Sequence, residues 1–108
     1  MPDETIDRIR RLVVAAEVRI SEHGYDELSA DRLTVREIVA GFANAKLVED
    51  YPDYPKGASI LVLQQDATGK PVHVVWGIPK GYTSPAVLVT AYRPDLQKWE
   101  PGYLRRRR

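Results

Sequence analysis

The chain has no cysteine. That excludes a disulfide framework, a thiolate metal site and a cysteine nucleophile together. Histidine is nearly as scarce, with two among 108 residues, His23 and His73. Two cannot build a histidine-rich metal centre and neither sits in an H-E-x-x-H pattern, so no metal or other cofactor is expected. No apolar run approaches the ~18 residues of a membrane span. The acidic opening Met1-Pro-Asp-Glu4 leads into no signal-peptide core, so a cytoplasmic protein without a membrane partner is the expectation. Standard catalytic signatures are missing too: no G-x-S-x-G, no P-loop, no dinucleotide fingerprint, no calcium loop. Gly77 and Gly81 do not make a phosphate loop, because no helix follows them. Glu49 and Asp50 alternate across one strand and cannot act as a carboxylate pair.

What is present suits one globular domain. Hydrophobic residues at 44% and charged residues at 29% can bury a real core, and the length leaves room for one. The net charge of +1 argues neither for nor against nucleic acid, but the charge is unevenly spread. Arg93, Lys98 and the run Arg105 to Arg108 face only Asp95 and Glu100 after position 92. Such a run reads either as a frayed, solvated end or as sequence-independent attraction for phosphate.

Asp3 is placed to cap a first helix reaching about Ala16, with Ile6, Ile9, Leu12, Val13 and Ala16 along one side. Val18-Arg-Ile20 is a short connector or edge strand. Ser21 then caps a second helix whose Tyr25 and Leu28 should point inward. Thr34-Val-Arg-Glu37 is a capping box, and Val35, Ile38, Val39 and Phe42 follow it at helical spacing, ending near Gly41–Asn44. From there the period becomes two. Strands are expected over 45–50, with Leu47 buried, and over 59–64, 71–78 and 86–92. A loop over 51–57, a tight turn over 66–69 and a longer loop over 79–85 join them. Arg93-Pro-Asp95 breaks the last strand, and Trp99 should fold back over a sheet edge. Helices followed by a meander of about four antiparallel strands make an α+β domain over 1–108, with the helices on one face.

The stretch Pro71-Val-His-Val-Val-Trp-Gly-Ile-Pro79 is apolar on both faces and should be covered on both. Val72, Val74, Trp76 and Ile78 face one way; His73, Val75 and Gly77 face the other. His73 is therefore either a hydrogen-bonded core residue or a functional one. A four-residue turn would set it opposite Val62, and one residue of register decides whether Thr90 or Tyr92 shares its face. Cleavage of RNA by general acid–base chemistry needs a base, an acid and a cation for the phosphorane. His23, His73, Tyr92 and Arg93 are the candidates of the right types. Lys80, Tyr51, Tyr54, Arg105 and Arg106 are the candidate substrate contacts.

The order Ile20-Ser-Glu-His23, Thr34-Val-Arg-Glu37, Pro71-Val-His-Val-Val75 and Val89-Thr-Ala-Tyr92-Arg-Pro-Asp95 resembles an uncharacterised bacterial family. That family has an S-x-H helix start, H-V-V on a hairpin strand and a last strand ending T-x-Y-x-P. It is in turn similar to the RelE/ParE and BrnT type II toxins. The resemblance covers about residues 18–100, leaving the first helix (1–17) and the basic tail (96–108) as additions. It implies the same α+β scaffold, with mRNA cleavage or gyrase inhibition relieved by an antitoxin, and His23, His73, Thr90 and Tyr92 as the matching positions. Where the family carries arginines four and eight residues after the first histidine, this chain has Glu27 and Asp31. Such a change takes phosphate affinity from that surface.

Two readings follow. One is a toxin-like ribonuclease acting without metal on RNA or the ribosome, held by an antitoxin partner. The other is a non-catalytic protein-interaction domain on the same scaffold, its histidines structural and its tyrosine loop meeting a partner, another copy of the chain included.

Overall fold

The computed structural model describes residues 4–108. The cap expected from Asp3 lies outside them. The described residues form three α-helices, a 3-10 turn and one five-stranded sheet, so the α+β class holds. Helix α1 spans Thr5–Val14, α2 Glu22–Ala30 and α3 Val35–Gly41, and the 3-10 turn Phe42–Asn44 extends α3. The strands are β1 Val18–Ile20, β2 Lys46–Tyr51, β3 Ser59–Gln65, β4 Pro71–Gly77 and β5 Ala86–Tyr92, in sheet order β1-β5-β4-β3-β2. Four strands form the expected antiparallel meander. The fifth, β1, runs parallel to β5 along Val18 to Ile20, so the sheet is mixed. Three residues sufficed to extend the sheet because the edge of β5 was open and the following chain pins itself there. Ser21 N–H donates to the Leu88 carbonyl at 3.0 Å, and the Ser21 hydroxyl to the Val89 carbonyl at 2.9 Å.

Each helix start has its physical cause. Ser21 Oγ accepts from Gly24 N–H, capping α2. Thr34 and Glu37 make the capping box in both directions, and Glu37 also accepts from Ala67 N–H in the β3–β4 turn. These bonds hold the Glu37 carboxyl below its ordinary range, the Ala67 bond foremost. Tyr25 does not point inward as expected but is exposed; Gly24 occupies that place. A Cβ on Gly24 would come within 2.8 Å of the Leu88 carbonyl, so α2 lies against β5 too closely for any side chain.

The core sits between the helices and one face of the sheet. Ile9 and Leu12 of α1, Leu28 of α2, and Ile38 and Phe42 meet Ile60 and Val62 of β3, Val72, Val74 and Trp76 of β4, and Leu88 and Ala91 of β5. Ala16 lies past the end of α1, exposed and at positive φ. Leu47 is exposed rather than buried, because β2 is an outer strand and slips register between Leu47 and Glu49. The polar side chain of Gln64 enters the core, 2% exposed. Gln64 Nε2 donates to the Ile38 carbonyl at 2.8 Å, and its Oε1 accepts the Trp76 indole N–H at 2.9 Å. The amide thus ties α3 to the centre of the sheet, with every polar atom satisfied.

Gln64→Leu keeps the volume but strands the indole N–H of Trp76 and the Ile38 carbonyl. Chemical denaturation should show a loss of about 1–3 kcal/mol with an unchanged m-value; an unchanged midpoint would show that the amide contributes nothing.

Candidate functional site

The helix-free face of the sheet carries three of the functional candidates on its strands, His73, Tyr92 and Tyr51. It divides into a covered half and an open one.

The covered half is centred on His73. The β3–β4 turn takes five residues instead of four, with Asp66 N–H bonded to the Lys70 carbonyl, so His73 pairs with Leu63 rather than Val62. The Asp66 carboxylate fixes this turn. It accepts from Thr68 N–H, Thr68 Oγ1 and Lys70 N–H, and pairs with Arg93 at 3.0 Å. Burial alone would raise its pKa, yet those bonds together hold it well below the carboxylate range. Across the sheet His73 pairs with Tyr92 and Val75 with Thr90, and a bulge follows. Thr90 and Tyr92 therefore both share the face of His73.

The imidazole is fully buried, at 0% exposure. Its Nε2 lies 2.8 Å from the Tyr103 carbonyl and its Nδ1 3.1 Å from the Tyr92 hydroxyl. A carbonyl only accepts, so Nε2 carries the proton and Nδ1 accepts from Tyr92. Trp99, 2% exposed, stands edge-on to the ring at 4.4 Å.

The cover is the chain's own C-terminal end. Pro101-Gly102 sits at the corner of a tight turn, with Gly102 at φ 93° and Tyr103 N–H bonded to the Glu100 carbonyl. Trp99 bridges Arg106 across this small hairpin. Arg106 lies over the Trp99 ring at 4.7 Å and grips Glu49 of β2 with two nitrogens, at 2.8 and 3.0 Å. Tyr51 donates to the same carboxylate at 2.5 Å. The Arg106 fork holds Glu49 below the usual carboxylate range. The run of arginines is thus a fastening at Arg106 rather than a frayed end, and Trp99 covers the sheet face rather than an edge. Sequence reasoning missed this cap, although the Pro101-Gly102 turn between Trp99 and Arg106 was a usable signal.

The remaining candidates stand apart. His23 on α2 is 64% exposed and lies 3.5 Å from Glu27. Arg93 is held by Asp66, and its N–H donates to Asp31, so both acidic replacements have local partners. Arg105 is exposed and uses its carbonyl to close the C-terminal hairpin. Lys80 lines a concavity of about 350 Å3 with Arg8, Asp53, Tyr54 and Tyr82. The structure brings His73, Tyr92, Tyr51 and Arg106 into one network; it leaves His23, Arg93, Lys80, Tyr54 and Arg105 outside it. Among the described residues no group of three or more His, Asp or Glu side chains is arranged for a metal. None of their helices is long and apolar enough to cross a membrane.

The open half is a groove of about 440 Å3. Val75, Gly77, Val87 and Val89 make its floor, and Arg19, Tyr51, Tyr54 and Lys56 its rim. Gly57 builds the wall. Its φ is 127° and a Cβ there would lie 1.9 Å from the Ile78 carbonyl, so only glycine lets the 51–57 loop dock on the end of β4.

Burial lowers the pKa of His73, outweighing the Tyr103 bond that favours the charged ring. Its proton is therefore bound more tightly in the unfolded chain, where the ordinary value is 6.5. The stability it contributes is complete above that value and is lost as pH falls below it. Thermal melts between pH 7.5 and 5.5 should show a falling midpoint in the wild type and a flatter profile in His73→Gln. Parallel profiles would mean that the ring is not sealed.

Comparison with known proteins adds one assignment. No curated protein and no solved structure matches the chain. A family model described as a domain of unknown function, DUF4258, matches residues 20–93. That span runs from the last residue of β1 to just past the end of β5 and contains Ser21, His73, Thr90 and Tyr92, while the cap over His73 lies beyond it. The chain belongs to the DUF4258 family.

Proposed function

We propose that this protein is a non-catalytic interaction domain. One observation carries the reading: His73, the best-placed acid–base candidate, is sealed with both ring nitrogens occupied, and His23 is on an exposed helix with Glu27 for company. A general base must reach the proton it abstracts. The surface best suited to a partner is the one beside the tyrosine loop. There Tyr54 and Tyr82 are exposed next to Arg8 and Lys80; tyrosine and arginine are residue types that anchor protein interfaces. The partner that fits is a protein presenting acidic side chains beside an apolar anchor.

A second reading keeps the RelE/ParE and BrnT resemblance literal: a ribonuclease on that scaffold, held by an antitoxin. The observation in its favour is that His73, Tyr92 and Arg106 belong to one network. It requires the C-terminal segment to lift from His73.

Expression in a bacterial host, with RNA cleavage assayed on the purified protein, separates the two. The interaction reading expects no cleavage and no growth arrest, either from the wild type or from Trp99→Ala/Arg106→Ala, which loosens the cap. A partner identified by co-purification should be lost on Tyr82→Ala and retained on His23→Ala. Cleavage that appears when the cap is loosened and disappears with His73→Ala would establish the ribonuclease instead.

A further inference from the structure

The groove on the open half of the sheet has features that an interaction patch around Tyr82 does not need. Its volume of about 440 Å3 falls within the range of small-ligand sites, ~300–1,000 Å3. Its floor is apolar, its walls carry the rings of Tyr51 and Tyr54, and its charged lining consists of Arg19 and Lys56 with no carboxylate. Neither cation makes an ion pair with another described residue. Glu49, which shares this face through Leu61 and Val75, is neutralised by the Arg106 fork, and the Tyr51 hydroxyl is spent on it. Tyr51 is thereby held in place as a wall.

The emptiness is built in. Gly57 lets the loop close over the end of β4, and Gly77 leaves the floor bare. A Cβ at Gly77 would stand 3.0 Å from Ser59 Oγ and 3.7 Å from Val89 Cγ2, in the groove itself. The backbone there is not in the left-handed region, so the absence of a side chain opens space rather than relieving strain.

We propose that this groove is a binding site for a small, flat, aromatic anion, whose rings lie on the valine floor between the tyrosines and whose negative group meets Arg19 and Lys56. The floor supplies hydrophobic contact, the tyrosines supply stacking and the two cations select charge. The inference goes beyond the interaction reading and does not depend on it, since Arg19, Lys56 and Gly77 lie outside the Arg8–Tyr82 concavity.

The test uses the full chain and two fluorescent probes with the same aromatic body, 8-anilinonaphthalene-1-sulfonate and its uncharged counterpart N-phenyl-1-naphthylamine. The sulfonate should bind at one site and the neutral probe far more weakly. Arg19→Glu/Lys56→Glu should weaken sulfonate binding about tenfold or more, the scale of a lost charge-assisted contact. Gly77→Ala should weaken both probes, with melting temperatures close to the wild type. Tyr82→Ala should change neither. Equal binding of the two probes, or sulfonate binding indifferent to the Arg19 and Lys56 changes, would overturn the proposal. So would displacement of the dye by a short oligouridylate at concentrations where uridine monophosphate has no effect, since that would make the occupant a strand.

Discussion

A neutral imidazole in the middle of a hydrophobic strand needs one donor and one acceptor within reach, or its burial costs more than the contact returns. In this chain the donor is the Tyr92 hydroxyl from the neighbouring strand, and the acceptor is the Tyr103 carbonyl from a segment thirty residues away. The second partner governs the far face of the sheet. To bring that carbonyl to His73 the chain must cross back over β4, turn at Pro101-Gly102 and lay Trp99 against the ring. Arg106 then reaches Glu49 on β2, so the contact that seals the histidine also fastens the outer strand.

The same arrangement divides the face. Where the C-terminal hairpin lies, the sheet is closed. Where it stops, Tyr51 marks the boundary, its hydroxyl tied to Glu49 and its ring facing the groove. A chain lacking the hairpin would present one continuous surface, with His73 and Tyr92 at one end and Arg19 and Lys56 at the other. The family match ends at residue 93. The domain core and the cover that decides what the core can do are therefore separable in sequence, though not in packing.

Local chemistry made much of the fold readable. The capping box at Thr34 and Glu37, the Ser21 cap, the two faces of β4 and the helix-then-meander order follow from side chains within four residues of each other or from strand alternation. What escaped is geometry that residue spacing alone does not encode. The hairpin register moved by one because the Asp66 carboxylate and N–H recruit Lys70 into the turn. Tyr25 faces solvent because α2 approaches β5 at Gly24, a distance that no helical periodicity encodes. Thr90 and Tyr92 never competed for one face, since residues two apart on a strand share it. The C-terminal end hid best. Four consecutive arginines read as a solvated tail, and only the structure pairs one of them with Glu49 and Trp99.

The most direct test of this account is the protonation state of His73 in solution, read from its ring nitrogens by NMR across neutral pH. The account predicts a single neutral tautomer protonated at Nε2, with a proton slow enough to exchange with water to be observed and a pKa below the ordinary 6.5. An imidazole that titrates at the ordinary value and exchanges freely with water would contradict it. The histidine would then be open to substrate, and the sealed face a misreading.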